Sequence, residues 1–477
     1  MRMHPFAALG LAALLLTVLA PVPASSQDFY SDIRPVLVQD CIQCHTEAGP
    51  GWSMEDPEEA YRMRHAIAQA MLDRRMPPWL AEGGHRAYHD DPSLPEYVLA
   101  LVREWREEGF PRGEPRPDPA PNGGDGALET GHAHHGAGPF QPHLSLDILP
   151  GGSYLPNQTR SDDYRCFVVD WTEGDPTFIT GFRAVPGNLR VAHHVVIYAV
   201  APGMGDRFRE LDGEEEGPGY QCFGGALPDR LGEREVRAAY EARYPDGVRE
   251  LDRSAFWLSH WAPGMDGHRF PEGTGIRMEP GSALVVQMHY YGGQAPGERD
   301  AGTRMDFQVA SRVDRPAFHL AQTWGPWLGG AQNGSMVIPP GERVTYETAD
   351  DLGGLVNYIA RITGVEADDI QALELHSANL HMHAIGESGV ITLTDRNGRK
   401  EILLEVPRWD LRWQRDFTFV EPRIFSREEL QGTRIGVECT FWNPGTENVY
   451  GGFGSYDEMC FNFSYIAVRT SPLSNSR

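Results

Sequence analysis

The chain has 477 residues, of which 42 are Lys or Arg and 67 are Asp or Glu, so its formal net charge at pH 7 is −25. This length suggests about two to four domains. A composition of 40% hydrophobic, 10% aromatic and 23% charged residues is typical of a globular protein. The acidic balance argues against nucleic acid as a partner, because such binding relies on clustered Lys and Arg. Lys400 is the only lysine, which argues against Schiff-base, pyridoxal and P-loop chemistry.

The amino terminus has the features of an export signal. Arg2 precedes the apolar run AALGLAALLLTVLAP, and small residues follow in VPASSQ. The run is short for a bilayer span, so residues 1–26 are predicted to be a signal peptide cleaved near Ser26, with a retained membrane anchor as the alternative. We therefore expect a periplasmic or secreted protein without stable membrane insertion, in a compartment where disulfides persist.

Two of the six cysteines form a haem-attachment motif. Cys41, Cys44 and His45 lie in CIQCH, and CxxCH is typical of a covalently attached c-type haem with the histidine as proximal ligand. A redox CxxC or half of a zinc site are the alternatives, but the sequence has no second CxxC to complete a zinc ribbon.

The remaining cysteines are Cys166, Cys222, Cys439 and Cys460. Four cysteines allow three pairings. We expect two structural disulfides, one within each of two later domains.

The residues around CIQCH predict a small all-α domain over residues 27–112. An amphipathic pattern in DPEEAYRMRHAIAQAMLDRRM stops at two prolines, and a second pattern in LPEYVLALVREWREEGF ends at a glycine. Met76, beside the prolines, is the predicted distal haem ligand, and Met63 and Met71 compete for this role. The segment resembles bacterial c-type cytochrome domains that are fused to other modules.

A linker is predicted over residues 113–143. This stretch is rich in Pro, Gly and charged residues and lacks apolar periodicity, so it cannot build a core. His132, His134 and His135 within it could bind a metal, although a solvated linker is the preferred interpretation.

From residue 144 onward the pattern changes to strands. Short β-branched and aromatic segments, such as RVAHHVVIYAV, SALVVQMHYYG and CFNFSYIAV, are separated by Gly, Pro and Asp. This pattern predicts antiparallel sandwiches, and the stretch is longer than one sandwich usually needs. The predicted fold class is therefore mainly β, with two antiparallel, jelly-roll-like β-sandwiches over residues 144–310 and 311–470, preceded by the small all-α cytochrome c-like domain.

Histidine pairs on these strands indicate metal sites. His381 and His383 are two residues apart, so on a strand both imidazoles point to one face and can share an ion. His193 and His194 are adjacent, and they would share an ion only through a bulge or a twist. A buried structural imidazole is the alternative for each of them.

Two further side chains extend these pairs. His289 offers another imidazole on a strand, and Met459 stands beside Cys460, whose disulfide would fix its position. A thioether among imidazoles favours copper(I) over zinc, magnesium or calcium. Three histidines, and two histidines with a methionine, together predict two copper sites.

The ordered set of motifs resembles the copper type II ascorbate-dependent monooxygenases, the family of peptidylglycine α-hydroxylating monooxygenase and dopamine β-monooxygenase. The resemblance covers residues 144 to 470, and it includes HH followed by VVIY, WAPG, QMHYYG, the HMH strand, CTF and DEMC. It implies an electron-storing copper in the first sandwich, held by His193, His194 and His289. It implies a second copper in the second sandwich, where oxygen is activated, held by His381, His383 and Met459.

Other positions match the family as well. Gln287, two residues before His289, is one of them. The disulfides that the resemblance implies are Cys166–Cys222 and Cys439–Cys460.

Two departures concern the substrate. The peptide-amidating members carry an arginine two residues before the HxH pair, where this chain has Asn379. They carry a tyrosine four residues after the DEMC methionine, where this chain has Phe463. A peptide carboxylate would lose its charge-assisted anchor, so the peptide substrate is not carried over, and we expect a neutral or aromatic small molecule.

The sequence therefore predicts an exported copper monooxygenase that hydroxylates a C–H bond of a small organic substrate with O₂. Electrons would come from a reductant through the haem to the His193/His194/His289 copper, and the linker would raise the effective concentration of the haem near the copper domains. A non-catalytic haem and copper electron-transfer or copper-binding protein is one alternative. A haem sensor with a β-sandwich recognition module is another. A multicopper oxidase is disfavoured, because its several HxH pairs do not occur.

Overall fold

The computed structural model describes residues 27–42, 45–46, 52–81, 85–89, 91–119, 140–159, 162–222, 225–261, 267–292, 295–322, 336–452 and 457–470. The predicted signal peptide, Cys44 and the histidines of the predicted linker lie outside these residues. The chain forms two compact units. The first, which we call the helical unit, contains Met1–Arg75 and Leu94–Thr130, and the second, the strand unit, contains Met76–Ser93 and Gly131–Arg477.

The described elements of the helical unit are helical. A π-turn at Phe29–Ile33 precedes four helices, which are α1 (Arg34–Asp40), α2 (Pro57–Arg62), α3 (Arg64–Leu72) and α4 (Glu96–Glu107). The Asp56 carboxylate accepts a hydrogen bond from the Glu58 amide and caps α2, whose first residue is a proline. The single helix expected before the double proline is thus two helices that meet at Met63, and their apolar faces pack around the buried Phe29 and Trp105.

The strand unit contains all the β-strands of the described chain. In chain order the first eleven are β1 (Leu144–Asp147), β2 (Ser153–Tyr154), β3 (Asp163–Asp170), β4 (Thr177–Val185), β5 (Ala192–Val200), β6 (Tyr220–Gln221), β7 (Ala255–Trp261), β8 (His268–Arg269), β9 (Thr274–Met278), β10 (Ala283–Tyr290) and β11 (Asp300–Ala301). The others are β12 (Arg304–Ala310), β13 (Arg315–Gln322), β14 (Val337–Ile338), β15 (Arg343–Asp351), β16 (Ala372–His381), β17 (Gly386–Thr394), β18 (Lys400–Val406), β19 (Phe417–Ser426), β20 (Arg434–Trp442), β21 (Val449–Tyr450) and β22 (Phe461–Arg469).

Short helices connect some of these strands. They are α5 (Gly205–Asp212), α6 (Arg234–Arg243), α7 (Gly247–Ser254), α8 (Val356–Thr363) and α9 (Arg427–Leu430). Within the described residues, no helix is both long enough and apolar enough to cross a membrane.

Three larger sheets organise the strand unit, so the protein is mainly β, as predicted. A nine-stranded sheet has the order β1-β12-β4-β9-β13-β22-β16-β19, with β8 paired to β4, and a parallel pairing of β9 with β13 joins its two halves. A five-stranded sheet has the order β6-β3-β10-β5-β7, and a four-stranded sheet has the order β15-β20-β17-β18. The nine-stranded sheet therefore contains strands from both of the ranges predicted as separate sandwiches.

Two apolar cores place the strands that carry the predicted ligands. One core contains Val195 and Ile197 of β5 together with Phe182 and Phe307 of the nine-stranded sheet. The other contains side chains of β16 and β19 together with those of the four-stranded sheet. Since alternate residues of a strand face opposite sides, these cores leave the ends of β5, β10 and β16 free to present polar side chains.

The Met76–Ser93 segment contributes to the second of these cores, although the sequence predicted it as part of the cytochrome c-like domain. The Tyr88 ring is buried against Phe417 and Phe419, and its hydroxyl donates to the Leu403 carbonyl at 2.9 Å. The His89 amide donates to the Thr418 carbonyl at 2.8 Å. The segment thus extends the edge of the nine-stranded sheet at β19.

Candidate metal centres

Three histidines meet at the ends of β5 and β10. The atoms of His193, His194 and His289 that could hold a metal all lie within 4.8 Å of one another. His289 pairs with His194, and Tyr290 pairs with Ala192, so His193 is an extra residue on β5 without an opposite partner in this ladder. This β-bulge turns two neighbouring imidazoles toward the same point, as the sequence required for a shared ion. We call these residues the first cluster.

Hydrogen bonds orient the rings of the first cluster. His289 Nε2 lies 2.9 Å from an Asp162 carboxylate oxygen, so the Nε2–H donates there and Nδ1 keeps its lone pair. That Nδ1 lies 3.2 Å from His193 Nδ1, and the His289 ring stacks on Tyr164 with centroids 4.1 Å apart. A carboxylate behind an imidazole is the usual support of a metal-binding histidine.

Burial keeps these imidazoles neutral. It lowers the pKa of His193 to about 4, with the neighbouring His289 adding to the effect. The pKa of His194 is lowered well below its usual value by burial and by the other two histidines. Because a metal binds only the neutral ring, the first cluster is ready to bind an ion at neutral pH without losing protons.

His381 and His383 lie at and just beyond the end of β16. His381 Nδ1–H donates to the Gln414 side-chain oxygen, and His383 Nδ1–H donates to the Asp457 carbonyl at 2.9 Å. Both rings therefore keep the Nε2 lone pair for a metal, and their centroids are 5.4 Å apart. Burial, followed by the effect of His383, lowers the pKa of His381 to about 3.

Met459 lies beside these histidines, just before β22. The Glu458 carboxylate accepts hydrogen bonds from the backbone amides of His383 at 2.9 Å and Ile385 at 2.7 Å, which ties the start of β22 to the end of β16. Burial raises the pKa of Glu458 to about 7. Met459 is buried with Phe461 and Phe463. We call His381, His383 and Met459 the second cluster.

Both predicted disulfides are formed. Cys166 bonds to Cys222 and Cys439 bonds to Cys460. The second bond holds the residue next to Met459 against β20. Gln287 donates to the Gly225 carbonyl at 2.9 Å, beside the first disulfide.

The positions that depart from the resembling family lie next to the second cluster. Asn379 and Phe463 pair directly across β16 and β22. The Asn379 amide donates to Asp416 at 3.0 Å and lies 3.3 Å from His260 Nε2. The Phe463 ring stacks on Trp257 with centroids 4.3 Å apart. No charged group of the described chain is hydrogen-bonded to Asn379 except the Asp416 carboxylate, so this position is unsuited to an anionic substrate.

Several supporting residues were not identified from the sequence. Asp162, Gln414 and His260 carry no recognisable motif, and Asp162 is 127 residues away from the histidine that it orients. Only the contact between a strand end and a distant loop reveals them.

The described part of the haem motif has the geometry of a ligand-bearing loop. Cys41 follows α1 and is buried. His45 Nδ1–H donates to the Trp52 carbonyl at 2.9 Å, which leaves Nε2 available. Met76 is half-buried and begins the segment that belongs to the strand unit.

Comparison with protein families gives one match. Residues 328–471 match the family described as copper type II ascorbate-dependent monooxygenase, C-terminal domain. This family comprises copper-dependent monooxygenases, and the matched range contains the whole second cluster. The first cluster and the haem motif lie outside it. No curated protein matches the chain.

Comparison with solved structures returns only distant likenesses. An infectious bursal disease virus structure of the Gx strain has 9% identity, covers 66% of this chain and 59% of its own, and has a TM-score of 0.16. A β-porphyranase of glycoside hydrolase family 86 from Bacteroides plebeius has 9% identity, coverages of 64% and 35%, and a TM-score of 0.14. A putative secreted protein from Parabacteroides distasonis has 8% identity, coverages of 68% and 88%, and a TM-score of 0.14. The chain spans less than two thirds of the first two structures, and scores this low support no argument about fold or function.

Proposed function

We propose that this protein is an exported copper-dependent monooxygenase that hydroxylates a C–H bond of a small, neutral organic molecule with O₂. The observation that carries the proposal is the second cluster, in which two Nε2 lone pairs and a thioether lie together inside the range matched by the monooxygenase domain. The net reaction is RH + O₂ + 2e⁻ + 2H⁺ → ROH + H₂O. When bound, copper supplies the one-electron chemistry that O₂ requires.

The chain positions the second cluster before any ion arrives. Gln414 and the Asp457 carbonyl each fix one imidazole, and the Cys439–Cys460 bond and Glu458 fix the strand that carries Met459. Such supports lower the reorganisation that metal binding would otherwise need. Soft sulfur with two imidazoles favours copper(I) over the commoner zinc.

The first cluster would hold the electron-storing copper through three imidazoles. Its ring nitrogens are already gathered by the β-bulge, and Asp162 supports His289 from behind. Three nitrogen donors with no sulfur suit either oxidation state of copper.

We propose that electrons reach these clusters from a reductant through a c-type haem attached at Cys41 and Cys44. His45 would be its proximal ligand and Met76 its distal ligand, which would leave no open position for O₂ at the iron. The His45 Nδ1 bond to Trp52 supports this assignment, because it directs Nε2 outward as a ligand requires.

The substrate is proposed to be neutral, with an apolar or aromatic body. Asn379 offers an amide where a carboxylate-binding arginine would be needed for an anion. Phe461 and Phe463 add apolar surface beside His381, with ring centroids 6.0 and 6.1 Å from its ring.

The test uses the haem as its own indicator. The haem is reduced without oxygen, oxygen is then added, and reoxidation is followed by absorption in the copper-loaded and the copper-free protein. We expect faster reoxidation with copper, and a rate close to that of the copper-free protein in His383→Ala. His143→Ala, a change at an exposed position, is the matched control and should behave like the unmodified protein.

Equal rates with and without copper would contradict the proposal. If copper speeds reoxidation but labelled oxygen from O₂ never enters an organic product, the protein is a non-catalytic electron-transfer protein.

A further inference from the structure

A polar side chain lies between the two clusters. His260 is on β7, where it pairs with Val196 of β5, and Val196 follows His194 by two residues. Residues two apart on a strand share a face. His260 therefore lies on the face of the five-stranded sheet that carries His194.

Asn379 meets His260 from the strand of the second cluster. It is on β16 two residues before His381, and its Nδ2 lies 3.3 Å from His260 Nε2. The same amide donates to Asp416, which follows the His381 partner Gln414 by two residues. A hydrogen-bonded contact therefore connects the strand next to the first cluster with the strand that ends in the second.

An aromatic contact runs beside this hydrogen bond. Trp257, also on β7, stacks on Phe463 with centroids 4.3 Å apart and planes inclined by 19°. Phe463 is the ladder partner of Asn379, and its ring lies 6.1 Å from that of His381. Two side chains of β7 thus contact two neighbouring positions of β16 and β22.

The contact between these strands excludes water. Asn379 is 3% exposed and Phe463 is 6% exposed. The buried His260 Nδ1 and Asn379 Oδ1 have no hydrogen-bond partner among the described residues. Polar atoms are rarely left this way without a functional reason. Dry, fixed surroundings also lower the cost of reorganising the medium when a charge moves.

We propose that the His260–Asn379 contact is the route by which an electron crosses from the first cluster to the second. The inference rests on the proposed function, because it requires copper at both clusters. One electron leaves the first-cluster ion, which is oxidised by one unit, and the second-cluster ion is reduced by one unit. No bond between atoms forms or breaks in this step. A hydrogen bond couples the two strands electronically better than an apolar gap of the same length does.

The test follows the electron and not the product. The two clusters give different copper(II) electron paramagnetic resonance spectra, because one has three nitrogen donors and the other has two nitrogens and a sulfur. The oxidised, copper-loaded protein is mixed without oxygen with less ascorbate than copper, and rapid freezing records how the remaining copper(II) signal redistributes. We expect His260→Leu to slow this redistribution about tenfold or more, as a modest rise in the barrier would.

Two further variants separate the route from a general loss of structure. His260→Gln can still accept a hydrogen bond from the Asn379 amide, so its redistribution rate should stay closer to that of the unmodified protein than the rate of His260→Leu. Asn379→Leu removes the same bond from the other side and should slow redistribution as His260→Leu does, even if one of the two leucine variants fails to fold. His376→Gln is the control, since His376 is a buried histidine of β16 that bonds to Glu374 at 3.0 Å.

The outcomes are distinguishable. Copper missing from either cluster of the unmodified protein overturns the proposed function and this inference with it. Copper at both clusters, with redistribution in the folded leucine variants as fast as in the unmodified protein, overturns the route alone.

Discussion

At the scale of single residues, the first cluster depends on a carboxylate that is not itself a predicted ligand. Asp162 accepts the Nε2–H of His289, and so it determines which nitrogen of that ring faces His193. It also makes the imidazole a stronger donor toward a cation. The cluster is thus a set of four residues in function, although only three of them would contact the ion.

Replacing this carboxylate should weaken copper binding. For Asp162→Asn we expect a loss of about tenfold to a hundredfold in affinity at the first cluster, which is typical of such outer partners. A competition titration with a copper(I) chelator measures it. Asp147→Asn, a change at an exposed position of β1, should leave the affinity unchanged, and an equal affinity in Asp162→Asn would refute the role given to this carboxylate.

His319 gives the protein a pH dependence that is separate from metal binding. It is 4% exposed, its Nδ1–H donates to the Leu258 carbonyl at 2.7 Å, and burial lowers its pKa to about 4. An unfolded histidine has a pKa of about 6.5. As the pH falls below that value, the unfolded chain takes up a proton that the folded chain refuses until about pH 4. The stability of the fold therefore falls in this window.

Removing the imidazole should remove this part of the pH dependence. His319→Asn keeps a donor for the Leu258 carbonyl. We expect the metal-free variant to lose about 2 kcal/mol less stability than the unmodified protein between about pH 7 and pH 5. Urea unfolding at both pH values measures this difference, and His143→Asn, at an exposed histidine, serves as the control. The same pH dependence in all three proteins would show that His319 is not responsible.

At the scale of elements, the Met76–Ser93 segment is held by a few strong contacts. Tyr88 provides the central one, with its ring in the apolar core and its hydroxyl on the Leu403 carbonyl. The Trp79 ring packs against Phe417 with centroids 4.9 Å apart, and His85 bonds to Glu405 at 2.7 Å. Most of the binding thus comes from buried aromatic area, because the polar contacts at the edge are partly exposed.

Truncating the central side chain should destabilise the strand unit. Tyr88→Ala leaves a cavity and an unpaired carbonyl, so we expect a loss of about 3 to 5 kcal/mol. Guanidinium unfolding followed by tryptophan fluorescence measures it. Tyr97→Ala removes a tyrosine that is 43% exposed on α4 and should cost far less, whereas equal losses in the two variants would contradict the account of the segment.

The elements also show where sequence patterns succeed. The strand pattern after residue 144 and the HxH spacing of His381 and His383 follow from the two-residue period of a strand, which any sequence displays directly. The β-bulge at His193 was only a stated condition, since a bulge depends on the partner strand β10 and not on its own residues. The pairing of the cysteines followed from the family resemblance and is confirmed.

At the scale of the whole molecule, long-range contacts set the limit of sequence reasoning. The Gln414 contact with His381 spans 33 residues and the Asp162 contact with His289 spans 127. Nothing in the local pattern of either partner marks them. The same holds for the nine-stranded sheet, in which the parallel pairing of β9 with β13 joins strands that were predicted to belong to separate sandwiches.

The path of the chain between the two units has a consequence for proteolysis. The chain passes from one unit to the other after Arg75, after Ser93 and after Thr130. A single nick in the predicted linker would cut only the last of these passages. The amino-terminal fragment would still carry Tyr88 in the core of the strand unit, so the two fragments should migrate together on a sizing column. They should separate only in denaturant.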